Sequence, residues 1–155
     1  MKDSYKIAIL CRHEVFLKCL AMMVHNVGFR VHPECHSSDE LISNLDIEDL
    51  PDLLLYDVDN DHERNETVIT ELCNSFPSMQ ILIITNSTDY DAIKNFIVKG
   101  AKGFVYPQVE PKELKYAINK VMKHKIYYPD AGTQGTHNAM SEVVSRKTAG
   151  ISFKG

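Results

Sequence analysis

Residues 53–61 have the sequence Leu53-Leu54-Leu55-Tyr56-Asp57-Val58-Asp59-Asn60-Asp61, in which an apolar run ends in a cluster of carboxylates. A short apolar run after turn residues is typical of a strand buried on both faces of a parallel sheet. The carboxylates follow the carboxyl end of that strand, where open α/β sheets hold their ligand crevice. We therefore expect Asp57 to mark the functional end of the fold, although a polar loop after a core strand gives the same pattern.

The composition indicates one globular domain. The chain has 155 residues, of which 44% are hydrophobic and 25% charged, enough to bury a core. The net charge of -4 and the lack of an evident basic stripe argue against a nucleic-acid-binding chain. The first apolar run, residues 7–11, is too short for a signal peptide or a membrane span. The cysteines are scattered without a C-x-x-C pair, which favours a reduced, cytoplasmic protein; they are Cys11, Cys19, Cys35 and Cys73.

Predicted strands alternate with predicted helices five times along the chain. The strands are predicted over residues 7–11, 29–36, 53–57, 79–85 and 103–106, and the helices over residues 13–26, 37–46, 66–75, 89–98 and 111–123. Such alternation predicts an α/β, doubly wound, five-stranded parallel sheet in the order 2-1-3-4-5, the flavodoxin-like arrangement. Pro33 lies inside the second strand, which places that strand at an edge. The switch point then lies between Cys11-Arg12 and Asp57.

The domain is predicted to cover residues 4–128. From Asp130 onward the chain mixes Gly, Ser, Thr and Asn, and no apolar period holds. We therefore expect residues 129–155 to form a linker or a disordered tail. About 25 residues are too few for another self-supporting domain.

Three kinds of chemistry compete for the carboxylate cluster. Calcium binding fails, since His62 stands where an EF-hand loop needs glycine and Val68 where it needs a bidentate glutamate. Nucleotide binding lacks any glycine-rich phosphate motif. Phosphoryl acceptance by Asp57 remains, because a carboxylate can form an aspartyl phosphate if nearby positive charge neutralises the phosphoryl oxygens.

A metal site is conceivable on the edge strand. His32, Glu34 and His36 share one face of that strand at period two. A solvated edge face is the favoured interpretation, because a ligand site needs a fourth partner and a closed geometry.

Over about residues 4–128 the sequence resembles response-regulator receiver domains. Residues 51–57 are similar to the phosphoacceptor strand, which implies Asp57 as the acceptor. Residues 81–85 are similar to the fourth strand, with the switch hydroxyl on Thr85, and residues 100–105 to the segment with the switch aromatic on Phe104. Residues 110–114 are similar to the start of the last helix. His13, Phe16 and residues 126–128 resemble the subfamily that precedes a LuxR-type DNA-binding domain.

The departures from this family concern its chemistry. Cys11 and Arg12 stand where the family has a pair of magnesium-binding acids, and Pro107 stands where it has a lysine. The predicted pocket is therefore degenerate, and we expect it to hold no cofactor. Any magnesium ion that did bind there would have only Asp57 and Asp59 as ligands. Each lost electrostatic contact costs about 3–4 kcal/mol in a transition state, so ordinary phosphotransfer should be very slow.

Two hypotheses concern the replacing residues. Arg12 is expected to reach Asp57, occupy the metal space and hold the loop in one state, against the alternative of a solvated side chain. Cys11 would need exposure and a lowered pKa to act as a redox sensor. A buried apolar role for Cys11 is favoured.

The expected function is that of an atypical, non-enzymatic receiver domain in a two-component system. The expected partners are a histidine kinase, other signalling proteins and a second copy of the chain, with DNA contacted only through a C-terminal domain absent from this sequence. The alternative is a metal-dependent phosphatase-like enzyme that uses Asp57, Asp59 and Asp61. Its D-x-D motif would have to follow the first strand rather than the third, so the alternative is disfavoured.

Overall fold

A computed structural model describes residues 4–129 of the chain. Five parallel strands form one sheet in the order β2-β1-β3-β4-β5, which confirms the predicted fold. The elements are β1 (Lys6–Leu10), α1 (Glu14–Asn26), β2 (Arg30–Cys35), α2 (Ser38–Asn44), a 3₁₀ turn (Ile47–Asp49), β3 (Leu53–Asp57), α3 (His62–Ser75), β4 (Gln80–Ile84), α4 (Tyr90–Lys99), β5 (Phe104–Val105) and α5 (Pro111–Met122). Apart from Pro129, the predicted tail lies outside the described residues. No helix within residues 4–129 is long and apolar enough to cross a membrane.

The sheet is buried on both faces, as the apolar run of β3 predicts. Leu53 and Leu55 pack towards α1 and α5, whereas Leu54 and Tyr56 pack towards α2, α3 and α4. Successive strand residues point to opposite faces, so one five-residue strand contributes to both halves of the core. Each fully buried leucine is worth about 1.5–3 kcal/mol relative to an exposed one, and this burial fixes the register of the central strand.

The strand register brings the candidate site together. Leu10 pairs with Tyr56, and Asp57 pairs with Ile84. The next residues along β1 and β4 are Cys11 and Thr85, so these two side chains emerge beside Asp57 at the carboxyl edge of the sheet. This edge lies at the switch point between β1 and β3, as predicted.

The third helix begins earlier than the sequence pattern indicates. It was predicted from residue 66, but α3 starts at His62 because the Asp61 carboxylate caps it. This carboxylate accepts a hydrogen bond from the Arg64 backbone N–H at 3.1 Å. An acidic loop residue thus serves as the N-cap, a role for which aspartate is well suited.

The two edges of the sheet are closed differently. Pro33 lies in β2, which is an edge strand as predicted. Beyond β5, Tyr127 forms a parallel bridge with Gly103, and the Phe104 N–H donates to the Tyr127 carbonyl at 3.0 Å. Gly103 has φ +144°, and a Cβ there would lie 1.9 Å from the Tyr127 carbonyl oxygen. Only glycine therefore permits this close pairing.

Candidate functional site

Asp57 lies at the end of β3, half-buried between the loops that follow β1 and β4. Its Oδ2 accepts a hydrogen bond from the Cys11 thiol, with the two atoms 3.4 Å apart. Burial raises the pKa of this carboxyl above its ordinary value, and the charge of Asp59 raises it further. The Cys11 hydrogen bond and the nearby His13 lower it in part. Asp57 is thus placed as predicted, in a less hydrated environment than an ordinary loop carboxylate.

Cys11 is fully buried beneath Asp57. Its thiol lies 3.4 Å from the Asp57 carboxylate and 3.5 Å from the His13 carbonyl oxygen, so one proton serves two acceptors. Burial raises the pKa of this thiol to about 11, with a further contribution from the Asp57 charge. Since a reactive cysteine needs exposure and a lowered pKa, these features support the buried structural role.

The hypothesis of a direct contact between Arg12 and Asp57 is wrong. The Arg12 guanidinium instead forms a salt bridge with Asp59, with Nη1 and Oδ2 2.6 Å apart. Neighbouring residues of an extended segment point to opposite sides, so when Cys11 faces Asp57 the Arg12 side chain leaves towards solvent. It then meets the carboxylate on the outer loop, where both partners keep part of their hydration.

Asp59 is held by several groups at once. Burial raises the pKa of its carboxyl, but the Asp61 N–H hydrogen bond, Arg12 and Arg64 together bring that pKa below its ordinary value. The Asp61 N–H donates to Asp59 Oδ1 at 2.9 Å. Arg12 is 61% exposed in this pair, so the salt bridge is worth at most about 1 kcal/mol. It nevertheless ties the loop after β1 to the loop after β3.

A buried hydrogen-bond bridge, which was not predicted from the sequence, supports the loop after β3. The Tyr56 hydroxyl donates to Asn65 Oδ1 at 2.9 Å, and Asn65 Nδ2 donates to the Asp59 carbonyl oxygen at 2.9 Å. Burial raises the pKa of Tyr56, so this hydroxyl stays protonated. A signal was present, because Asn65 occupies the helical phase of the apolar residues Val68, Ile69 and Leu72.

Asp57 also faces an open cleft of about 340 Å³ on its other side. Thr85 and Pro107 line this cleft together with His13. Thr85 is nearly buried, and its Oγ1 accepts a hydrogen bond from the Ser87 N–H at 3.1 Å. Pro107 offers neither a charge nor an N–H to a ligand in the cleft. Thr85 and Pro107 therefore lie beside Asp57, while their predicted roles stay predictions.

Phe104 is not part of that cleft. It is fully buried in the core, where its ring meets Tyr106 edge to face with centroids 5.6 Å apart. The Thr85 N–H donates to the carbonyl of Val105, the residue after Phe104, at 3.0 Å, whereas Phe104 itself pairs with Ile83. The two predicted switch residues therefore occupy different places, with Thr85 lining the cleft and Phe104 in the core.

The acidic residues of the loop after β3 do not converge on a common point. Asp59 bonds Arg12 and the Asp61 N–H, and Asp61 caps α3. Within residues 4–129 there is no group of three His, Cys, Asp or Glu side chains that could hold a metal ion. Magnesium prefers oxygen ligands, so a neutral thiol at Cys11 and a cation at Arg12 do not fit it. The phosphatase-like alternative finds no support in this geometry.

Within residues 4–129, the histidines of the edge strand form no metal site. Glu34 forms a salt bridge with Lys18, with their charged atoms 3.1 Å apart. His36 contacts the carboxylates of Glu14 and Glu40, and its hydrogen bond to Glu14 raises the pKa of its imidazole. The side chains of Glu34 and His36 are therefore directed to different partners.

The sequence was compared with protein families and with individual known proteins. No protein-family model matches the chain. Oxygen regulatory protein NreC of Staphylococcus aureus is 31% identical over 78 residues, a match that spans 50% of this chain and 36% of NreC. The match thus covers about a third of the length of these curated relatives.

Solved receiver structures superpose over most of the chain. The non-phosphorylated receiver domain of the stress response regulator RcsB from Escherichia coli gives a TM-score of 0.72 at 21% identity, covering 83% of this chain and 100% of that one. A LuxR family DNA-binding response regulator from Silicibacter pomeroyi gives 0.68 at 20% identity, covering 81% and 98%. The chain has the fold of response-regulator receiver domains, which confirms the fold that the sequence resemblance implied.

Proposed function

We propose that this chain provides an atypical receiver domain of a LuxR-type response regulator, which signals by protein contact rather than by ordinary phosphotransfer. It acts without enzymatic activity of its own, in the cytoplasm, where its free cysteines stay reduced. The observation that carries this proposal is the pair of contacts beside Asp57, namely the Cys11 thiol on its carboxylate and the Arg12 salt bridge to Asp59.

The physical argument concerns charge at the acceptor. An incoming phosphoryl group brings negative oxygens to a carboxylate, so the reaction needs preorganised positive charge around both. Here the thiol of Cys11 is neutral, Arg12 is paired with another carboxylate, and Pro107 carries no charge. Each missing contact of about 3–4 kcal/mol corresponds to a rate lowered by about 10²–10³.

The partners follow from this signalling role. A histidine kinase, another signalling protein or a second copy of the chain would read the state of the loops around Asp57. Regulation of transcription would pass through a DNA-binding domain outside this sequence or through a bound partner. The name of the Silicibacter pomeroyi relative, a LuxR family DNA-binding response regulator, supports this output.

The test is phosphorylation by acetyl phosphate with magnesium, followed by intact-mass spectrometry. The wild-type chain should show no adduct on the timescale at which a reconstituted variant, Cys11→Asp/Arg12→Asp/Pro107→Lys, becomes labelled. Adding Asp57→Ala to that variant should abolish its label, which identifies the acceptor. Labelling of the wild type at the rate of the reconstituted variant would overturn the proposal.

A further inference from the structure

The charges of this chain are separated along its sequence. Residues 34–91 contain fifteen Asp or Glu residues and a single arginine, whereas residues 94–125 contain eight lysines and two glutamates. The modest net charge of -4 hides this polarity. No basic stripe is evident in the sequence, but several of these lysines lie on one side of α5 in the structure.

The outer face of α5 is basic. Lys112, Lys115, Tyr116 and Lys123 are exposed, and helical spacing places them on one side. The opposite side packs into the core through Leu114, Ala117, Ile118 and Val121. Within residues 4–129, the three exposed lysines take part in none of the salt bridges. Tyr116 is 60% exposed and adds an apolar surface between them.

The outer face of α3 is the acidic counterpart. Glu63, Glu66 and Glu71 line an open groove of about 590 Å³ that reaches Lys99 on α4. Hydroxyl and amide side chains complete the lining of the groove, and they include Thr67, Thr70 and Asn74. None of the three glutamates takes part in a salt bridge within residues 4–129.

The two faces match in spacing. The acidic positions of α3 are Glu63, Glu66 and Glu71, which are separated by three and five residues. Lys112, Lys115 and Lys120 of α5 have the same spacing; Lys120 is half-buried, with its Nζ 5.9 Å from the centre of the Tyr127 ring. Each set spans about 12 Å along its helix, at 1.5 Å per residue. A basic helix laid along the acidic groove can therefore meet an opposite charge at each end, whichever way it runs.

We infer that the outer face of α5 binds the α3–α4 groove of a second copy of this chain, head to tail. The helices α3 and α5 pack on opposite faces of the sheet, so each bound copy still offers one free α3 and one free α5. Such a contact is heterologous, and it produces open chains where successive rotations do not close into a ring. The inference does not depend on the chemistry of Asp57.

Exposed ion pairs make this association weak and dependent on salt. Each pair is worth at most about 1 kcal/mol, and the net negative charge of each copy opposes approach. Screening acts over about 10 Å at 0.1 M salt but about 3 Å at 1 M. Association should therefore be visible at high protein concentration and low salt, and lost at about 0.5 M salt.

Sedimentation velocity at several salt concentrations tests the inference on the full chain. The wild type should show a weight-average mass that rises continuously with concentration at low salt. Lys112→Glu/Lys115→Glu and Glu63→Lys/Glu66→Lys should each remain monomeric, and an equimolar mixture of the two should associate again. Asp39→Lys/Glu48→Lys raises the net charge by as much as Glu63→Lys/Glu66→Lys does but leaves the groove intact, so it should associate at least as well as the wild type.

Three outcomes would overturn the inference. The wild type could remain monomeric at low salt, or it could form a closed dimer whose mass reaches a plateau. The lysine variant could also lose binding to duplex DNA while self-association is unchanged, which would assign the basic face to nucleic acid. Circular dichroism confirms that each variant is folded before its mass is compared.

Discussion

Replacement of Asn65 should destabilise the loop after Asp57 more than any other single substitution there. It is 1% exposed and accepts the Tyr56 hydroxyl while it donates to the Asp59 carbonyl, both at 2.9 Å. In Asn65→Ala the buried Tyr56 hydroxyl loses its acceptor, at about 1–3 kcal/mol, and the Asp59 carbonyl loses a donor, at about 0.5–1.5 kcal/mol. We therefore expect the free energy of unfolding to fall by about 2–4 kcal/mol.

Urea unfolding followed by circular dichroism measures this loss. Asn74→Ala is the matched control, because Asn74 is exposed on the same helix, and it should change the free energy of unfolding by at most about 0.5 kcal/mol. Tyr56→Phe removes the orphaned hydroxyl, so the double variant should lose less than the sum of the two single variants. Equal losses at positions 65 and 74, or strict additivity with Tyr56→Phe, would refute the bridge.

Three further predictions concern the groups around Asp57. Arg12→Ala should lower the free energy of unfolding by at most about 1 kcal/mol, and it should raise the pKa of Asp59 towards its ordinary value. An NMR titration measures that pKa, and an unchanged value would contradict the salt bridge. Because the folded pKa of Asp57 is raised, this group binds more protons in the folded than in the unfolded chain, and its contribution to stability should fall as pH rises from about 4 through that pKa. Asp57→Asn should remove this fall, and urea unfolding across pH would disprove the shift if both chains behaved alike. Iodoacetamide at neutral pH should label the exposed Cys19, whereas the buried Cys11 should react only when the chain unfolds. Mass spectrometry after a short exposure measures the two rates, and equal labelling of both cysteines would contradict the burial of Cys11.

The fold could be predicted because its signals are local and repeated. The apolar run of β3 required burial on both faces, and alternation with helices then required a parallel sheet. Pro33 excluded a central position for β2. The same reasoning placed Asp57 beside the end of β1, since neighbouring strands of a parallel sheet end at one edge.

The details that were missed depend on side-chain directions and distant pairings. The partner of Arg12 is set by which way its backbone turns after Cys11, which no spacing encodes. The pairing of Tyr127 with Gly103 joins segments that lie a helix apart in the chain. Asn65 could have been found, since a polar residue in the apolar phase of a helix predicts a buried hydrogen-bond bridge.

The central claim is that the pocket around Asp57 does not accept a phosphoryl group in the ordinary way. Addition of beryllofluoride, which mimics that group, with magnesium to the ¹⁵N-labelled chain tests it most directly. The claim predicts unchanged amide signals for Val58, Thr85 and Asn86 in the wild type, and saturable shifts in Cys11→Asp/Arg12→Asp/Pro107→Lys. Saturable shifts of the same size in the wild type would contradict it.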